Sequence, residues 1–385
     1  MSGARFVDLE DELHSVAVQA TGLRDFGSQD YKEGLRVLLE AYDTDPQLTQ
    51  LGWQFAYGSV LGTLIARLHT QSGWAKHPPG SAPPIRTPLV ITGIPRTGTT
   101  ALHKLLSMDP QFQGLEHWLT ETPMARPPRE AWENLPAYRS SVANLEAYFT
   151  LMPDMRKAHD MVADEVDECL EILRQSFVSN RFGSSTYVPS YDRWFFAQSE
   201  VLSYRRYADV LRLIGADQPE KRWLLKNPGH IATINALFEV FPDACVVQTH
   251  RDPLEAVPSL CSVLHMSRRM FEGDSASAEV IGPRECAYWR KALDETTVAR
   301  KRRPDQFFDI DHRRFVADPL GTVRDLYARF GLQLSTQVEQ AMRGWVAASP
   351  TSRHGEHRYD GERFGITADD IREVFGDYRA GFKFN

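Results

Sequence analysis

Gly93-Ile94-Pro95-Arg96-Thr97-Gly98-Thr99-Thr100 is the stretch whose reading decides the fold. Just before it, Leu89-Val90-Ile91-Thr92 is a short apolar run bounded by Pro88 and Gly93, which predicts a buried strand. Just after it, residues 99 to 106 read as the start of a helix. A strand that enters a glycine-containing turn and leaves as a helix can gather consecutive backbone N–H groups around an anion. The helix N-terminus adds partial positive charge there. The glycines permit close backbone approach, and the hydroxyls that follow can donate hydrogen bonds. The Gly93-to-Gly98 spacing is that of a Walker A loop, but the next residue is Thr99 where Walker A has lysine. The cation sits inside the loop instead, at Arg96. An ordinary strand-to-helix turn is the bland alternative.

Working outward, Trp223-Leu224-Leu225 and Ala244-Cys245-Val246-Val247 are further strand candidates, with a helical pattern from Ile231 to Phe241 between them. That spacing makes a right-handed parallel βαβ unit. Phe307-Phe308-Asp309-Ile310 is another candidate strand, followed by an amphipathic segment from Val323 to Phe330. The expected class is α/β, a P-loop-like parallel sheet flanked by helices, in one domain over 1–385. Residues 1–87 read as a helical N-terminal segment, with Leu35, Leu38, Leu39 and Tyr42, then Leu61, Leu64, Ile65 and Leu68, at helical spacing. Residues 111–215 read as a mostly helical insertion or lid, rich in Trp118, Trp132, Tyr148, Phe149, Met152, Met155, Trp194, Phe195 and Phe196. Those side chains suit either a large apolar pocket or the insertion's own core.

A formal charge of −7 gives no support for nucleic-acid or acidic-membrane binding, so an anionic ligand must be held by a local cluster of donors. Cys169, Cys245, Cys261 and Cys286 lie far apart, without metal-ligand spacing, and read as reduced, buried thiols. The acidic start MSGARFVDLEDELHS carries no apolar run of signal-peptide length, and no stretch approaches the roughly 20 apolar residues needed to span a bilayer. The expectation is a soluble, cytoplasmic protein.

The motif order resembles that of the sulfotransferases that use 3′-phosphoadenosine-5′-phosphosulfate (PAPS), in particular their bacterial branch, over about residues 20 to 370. The GIPRTGTT stretch is similar to the family's 5′-phosphosulfate loop, with Arg96 where other members carry lysine. The resemblance implies donor binding by Arg96, Thr97, Gly98, Thr99 and Thr100. A phosphosulfate carries less charge than a nucleoside triphosphate, so one cation and backbone donors can suffice, and no metal is expected. In Val246 to Pro253, Arg251 ends a strand and Ser259 follows eight residues later, which in this family implies the 3′-phosphate site. The bland reading of Arg251 is an ion pair with Asp252 or Glu255. Lys226, ending Trp223-Leu224-Leu225-Lys226, matches the lysine that touches the transferring sulfonate and meets charge on the bridging oxygen. His230 stands two positions beyond the family's basic histidine, so it reads as a base or as a capping or packing residue.

The acceptor loses a proton as it attacks, which requires a base. Glu116 lies in the region where similar members place a glutamate base, with Glu121 and His159 as competitors. The cation-dense stretch Ser352 to Tyr359, with Arg353, His354 and Arg358, resembles the segment that closes over the 3′-phosphate, or is a solvated turn. The implied reaction moves a sulfuryl group from PAPS to a hydroxyl or amine of a small molecule, possibly a lipid or glycolipid, releasing adenosine 3′,5′-bisphosphate. The rival readings are a small-molecule kinase and a non-catalytic binder of that bisphosphate.

Overall fold

Five short strands, all parallel, order as β2-β3-β1-β4-β5 in the computed structural model, which describes residues 5–348 and 361–384. They are β1 (Leu89–Gly93), β2 (Phe112–Gln113), β3 (Arg222–Lys226), β4 (Cys245–His250) and β5 (Phe307–Asp311). β1 is buried throughout, as expected of a continuous apolar strand covered on both faces. In register, Ile91 lies opposite Lys226 of β3 and opposite Val247 of β4. The chain passes from β3 on one side of β1 to β4 on the other. The carboxyl ends of these three strands therefore meet at a topological switch point, the usual place for a ligand crevice in an open α/β sheet.

The sheet belongs to a unit formed by residues 86–114, 221–262 and 277–385. One sheet face is sealed by helix Thr99–Leu106, through Leu102, Leu105 and Leu106, and by helix Pro319–Arg329, through Leu320, Val323 and Leu326. These pack with Leu89, Ile91, Leu224, Val247 and Ile310. Each such side chain, fully buried, contributes about 1.5–3 kcal/mol. The Tyr327 hydroxyl, buried with them, donates to Asp109 Oδ2 at 2.8 Å.

Residues 1–85, 115–220 and 263–276 form a second unit, which is helical. Its longest complete helix, Gln50–Lys76, starts at Thr49, whose side chain accepts from the Gly52 N–H at 2.9 Å. Arg67 in that helix is fully buried, and carbonyls of Phe26, Ser28 and Gln175 accept its N–H groups. Trp118, Trp132, Phe149, Met155 and Phe195, from the aromatic-rich stretch, are all buried, and Trp118 packs against Trp132 at 5.3 Å. Phe196, from the same stretch, is exposed.

Two details differ from the sequence reading. β2 falls inside the stretch expected to be a helical insertion; two residues are too few to leave a strand period in sequence. Cys245, expected to be buried, is half-buried, because it opens β4 at the strand's amino end. Among the described residues, no helix is long and apolar enough to cross a membrane.

Candidate active site

The loop after β1 turns sharply, and its glycines are required by space. Gly93 has φ +144°, and a Cβ there would meet the Thr249 carbonyl oxygen at 2.5 Å. Gly98 has φ +95° and stands at the N-cap of helix Thr99–Leu106. Between them Arg96 adopts φ +72°, a left-handed conformation that costs a non-glycine residue about 1–3 kcal/mol. It is held there by its neighbours. The Arg96 carbonyl accepts from Arg251 Nη1 at 3.1 Å, and Arg96 Nε donates to Ser259 Oγ at 3.3 Å. The Thr97 hydroxyl donates to the Ile94 carbonyl at 2.7 Å and meets Thr249 Oγ1 at 2.5 Å. Thr97 thus braces the loop with its side chain, which is buried. Backbone strain maintained by convergent hydrogen bonds is a mark of a ligand clamp.

Two cations flank the loop. Lys226 ends β3 and is almost fully buried, with Nζ 3.5 Å from the Thr100 hydroxyl, a long contact at the first turn of the loop's helix. Arg251 follows β4. Of the two carboxylates that could claim it, Glu255 does so, at 2.8 Å from Nη2. Asp252 instead accepts from Leu254 N–H at 3.0 Å and pairs with Arg379. The Arg251–Glu255 pair reaches solvent, with side-chain exposures of 30% and 61%. Such a pair is worth about 0.2–1 kcal/mol, so a doubly charged phosphate can displace Glu255. Ser259, two turns into the helix Pro253–Glu272, is buried against Arg96. Arg96, Thr97, Thr99, Thr100, Lys226, Arg251 and Ser259 therefore converge at the carboxyl edge of one sheet.

His230 takes a different place. It lies in the short turn Pro228–Ile231, and complete burial pushes its imidazole down to about 3. A base of that strength is badly matched to proton transfer near neutrality. The packing alternative is the one its surroundings favour.

Glu116, Glu121 and His159 belong to the helical unit. Glu116 precedes helix His117–Glu121 and accepts from Arg126 Nε at 3.1 Å and Nη2 at 3.0 Å. His159 ends the short helix Pro153–Ala158 and is half-buried. Beside Glu116 the structure reveals a pair not singled out from sequence: His117 Nδ1 lies 2.5 Å from Asp167 Oδ2, both buried. Burial opposes charge on that ring, but the Asp167 hydrogen bond and charge, with Glu121 and Glu171, raise its pKa above the ordinary value. Fifty residues separate the partners, and no local spacing signals them. Arg353, His354 and Arg358 lie outside the described residues. Among the described residues, no group of three or more His, Cys, Asp or Glu side chains is placed to hold a metal ion.

The fold and this edge define an α/β phosphate-loop protein, with an arginine inside the loop and cations at the ends of both strands flanking β1. The sulfotransferase family model matches residues 88–336, and the chain belongs to that family. The sulfotransferase STF1 of Mycobacterium tuberculosis H37Rv is 39% identical, covers 97% of this chain and 100% of its own, and superposes with a TM-score of 0.87. STF9 of Mycobacterium avium is 26% identical over 99% of this chain and 97% of its own, with a TM-score of 0.84. The omega-hydroxy-beta-dihydromenaquinone-9 sulfotransferase Stf3 of Mycobacterium bovis is 27% identical over 258 residues. That alignment takes in 64% of this chain and spans 63% of the length of Stf3.

Proposed function

We propose that this chain transfers the sulfuryl group of PAPS to a hydroxyl of an apolar small molecule, in the cytoplasm. The observation that carries the reading is the meeting of Lys226 with Thr100 and of Arg96 with Ser259 and Arg251 around one loop. One end of that cluster suits the 5′-phosphosulfate, and the other, with a planar guanidinium fork, suits the 3′-phosphate. Family membership supports the sulfuryl chemistry. In the reaction the acceptor oxygen attacks sulfur while the bond from sulfur to the bridging oxygen breaks. The electron pair stays on the phosphate of departing adenosine 3′,5′-bisphosphate. Lys226 meets that developing charge, and the loop N–H groups hold the phosphate in line. Glu116 is the proposed acceptor of the hydroxyl proton.

The acceptor class is supported by the relative Stf3, which acts on a hydroxylated menaquinone derivative. The test is incubation of the protein with PAPS labelled in the sulfuryl group and a panel of hydroxylated isoprenoid quinones, sterols, glycolipids and phenols. Label is expected in an apolar hydroxylated lipid. Bisphosphate binding without any transfer would favour a non-catalytic binder. Transfer to phenols alone would overturn the lipid assignment.

A further inference from the structure

Behind the Arg251 strand tip lies a chain of polar contacts, running from the buried His250 to the surface at Asp309, that the donor-binding cluster does not include. In β4 and β5, Gln248, His250 and Asp309 share one sheet face. Arg300 forks onto them, with Nη1 2.5 Å from Asp309 Oδ2 and Nη2 2.6 Å from Gln248 Oε1. Burial opposes ionisation of Asp309, yet hydrogen bonds from His250 and Arg300 pull its pKa down to about 2. The carboxylate only accepts, so His250 Nε2, 2.7 Å away, carries the ring proton. Nδ1 is then an acceptor, and the Tyr378 hydroxyl lies 3.0 Å from it. That contact holds the ring of His250, the last residue of β4 and the one that precedes Arg251. Arg300, Asp309, His250 and Tyr378 thus form a chain that ends beside Arg251, on its neighbour in sequence.

A second arm from the same helix, Ala368–Gly381, fixes the next residue. Arg379 Nε and Nη2 approach the two oxygens of Asp252 at 2.9 and 3.0 Å, with both side chains largely shielded from water. Phe382, just past the helix end, stacks on His250 at 3.7 Å. The side chains on either side of Arg251, His250 and Asp252, are therefore both tied to this helix, across 128 and 127 residues of sequence.

We infer that Tyr378 and Arg379 are positioning residues for 3′-phosphate recognition: they set the direction of the Arg251 guanidinium and through it the preference for a 3′-phosphorylated nucleotide. The inference rests on the donor reading above. Its test is calorimetric titration with adenosine 3′,5′-bisphosphate and with adenosine 5′-phosphate, taking the ratio of the two affinities in wild type, Tyr378→Phe, Arg379→Gln and Arg379→Lys. Tyr378→Phe is expected to lower the ratio about fivefold, the ordinary worth of one hydrogen bond. Arg379→Gln is expected to lower it about tenfold, as for a charge-assisted bidentate pair, with partial recovery in Arg379→Lys. A purely structural role would weaken both nucleotides alike. An unchanged ratio in Tyr378→Phe and Arg379→Gln would overturn the inference, and the Arg379 pair carries the test if Tyr378→Phe does not fold. A wild-type protein with no preference for the bisphosphate would instead overturn the donor reading itself.

Discussion

Replacing Lys226 by methionine separates binding from chemistry more cleanly than any other change in this fold. The side chain is about 1% exposed, and its stem runs along the end of β3, so methionine keeps most of the packing volume while deleting the charge. Removing a buried ammonium relieves a desolvation penalty, so the variant should melt at the wild-type temperature or above it. Its chemistry should suffer. Deleting one donor aimed at charge that builds on the bridging oxygen as its bond to sulfur breaks costs about 2.7–4 kcal/mol, or 10²–10³ in kcat. In PAPS without an acceptor that oxygen is still bonded to sulfur and the charge has not formed. PAPS affinity should therefore stay within about threefold, less than the 1.4 kcal/mol that marks a tenfold change. The assay is single-turnover transfer from labelled PAPS, paired with calorimetry of PAPS in the absence of acceptor. Equal losses in rate and affinity would make Lys226 a plain nucleotide ligand and refute the assignment.

Three further outcomes are expected. Arg251→Ala should weaken adenosine 3′,5′-bisphosphate by about 10- to 100-fold, the range for losing a charged fork, with an unchanged melting temperature; unchanged affinity by calorimetry would remove the second anion site. Gly93→Ala should destabilise the protein by at least about 2 kcal/mol, through a strained φ and a contact of 2.5 Å with the Thr249 carbonyl, and a wild-type denaturant midpoint would contradict that geometry. Acid should unfold the protein early. Burial holds the folded-state pKa of His230 at about 3 and lowers that of His250, whereas an unfolded histidine titrates near 6.5, so the unfolded chain binds more protons in that window. Stability is then full above about pH 6.5 and declines toward pH 3, each histidine adding up to about 1.4 kcal/mol per pH unit. His230→Gln should flatten that slope in urea titrations from pH 7 to 4, and an unaltered slope would show that the buried ring does not govern it.

How much of this could be read from sequence depended on distance along the chain. The loop was legible because strand, turn and helix are contiguous, and because a glycine that must tolerate φ +144° or +95° leaves a visible letter. Lys226 was legible for a related reason, since it ends the apolar run Trp223-Leu224-Leu225; Arg251 lies four residues past the run Ala244 to Val247, and only the family resemblance singled it out. The two-residue β2 has no such run. Thr97 could be named as part of the loop, but the direction of its hydroxyl, toward Ile94 and Thr249, is set by β4 and lies outside any local pattern.

The polar networks were illegible for a deeper reason. A buried histidine needs a partner, but composition and spacing do not say which carboxylate supplies it, since loop closure over 50 or 59 residues costs little more than over 25. The choice is made by sheet register: Gln248 opposite Asp309 puts His250 within a hydrogen bond of the same carboxylate. Once that register is fixed, the tautomer of His250 follows, then the orientation of the Tyr378 hydroxyl toward it. The loop residues Arg96 to Thr100 could be read together because they are consecutive. The contacts on either side of Arg251 are dispersed because rigidity at a strand tip has to come from elements packed on it from elsewhere in the chain.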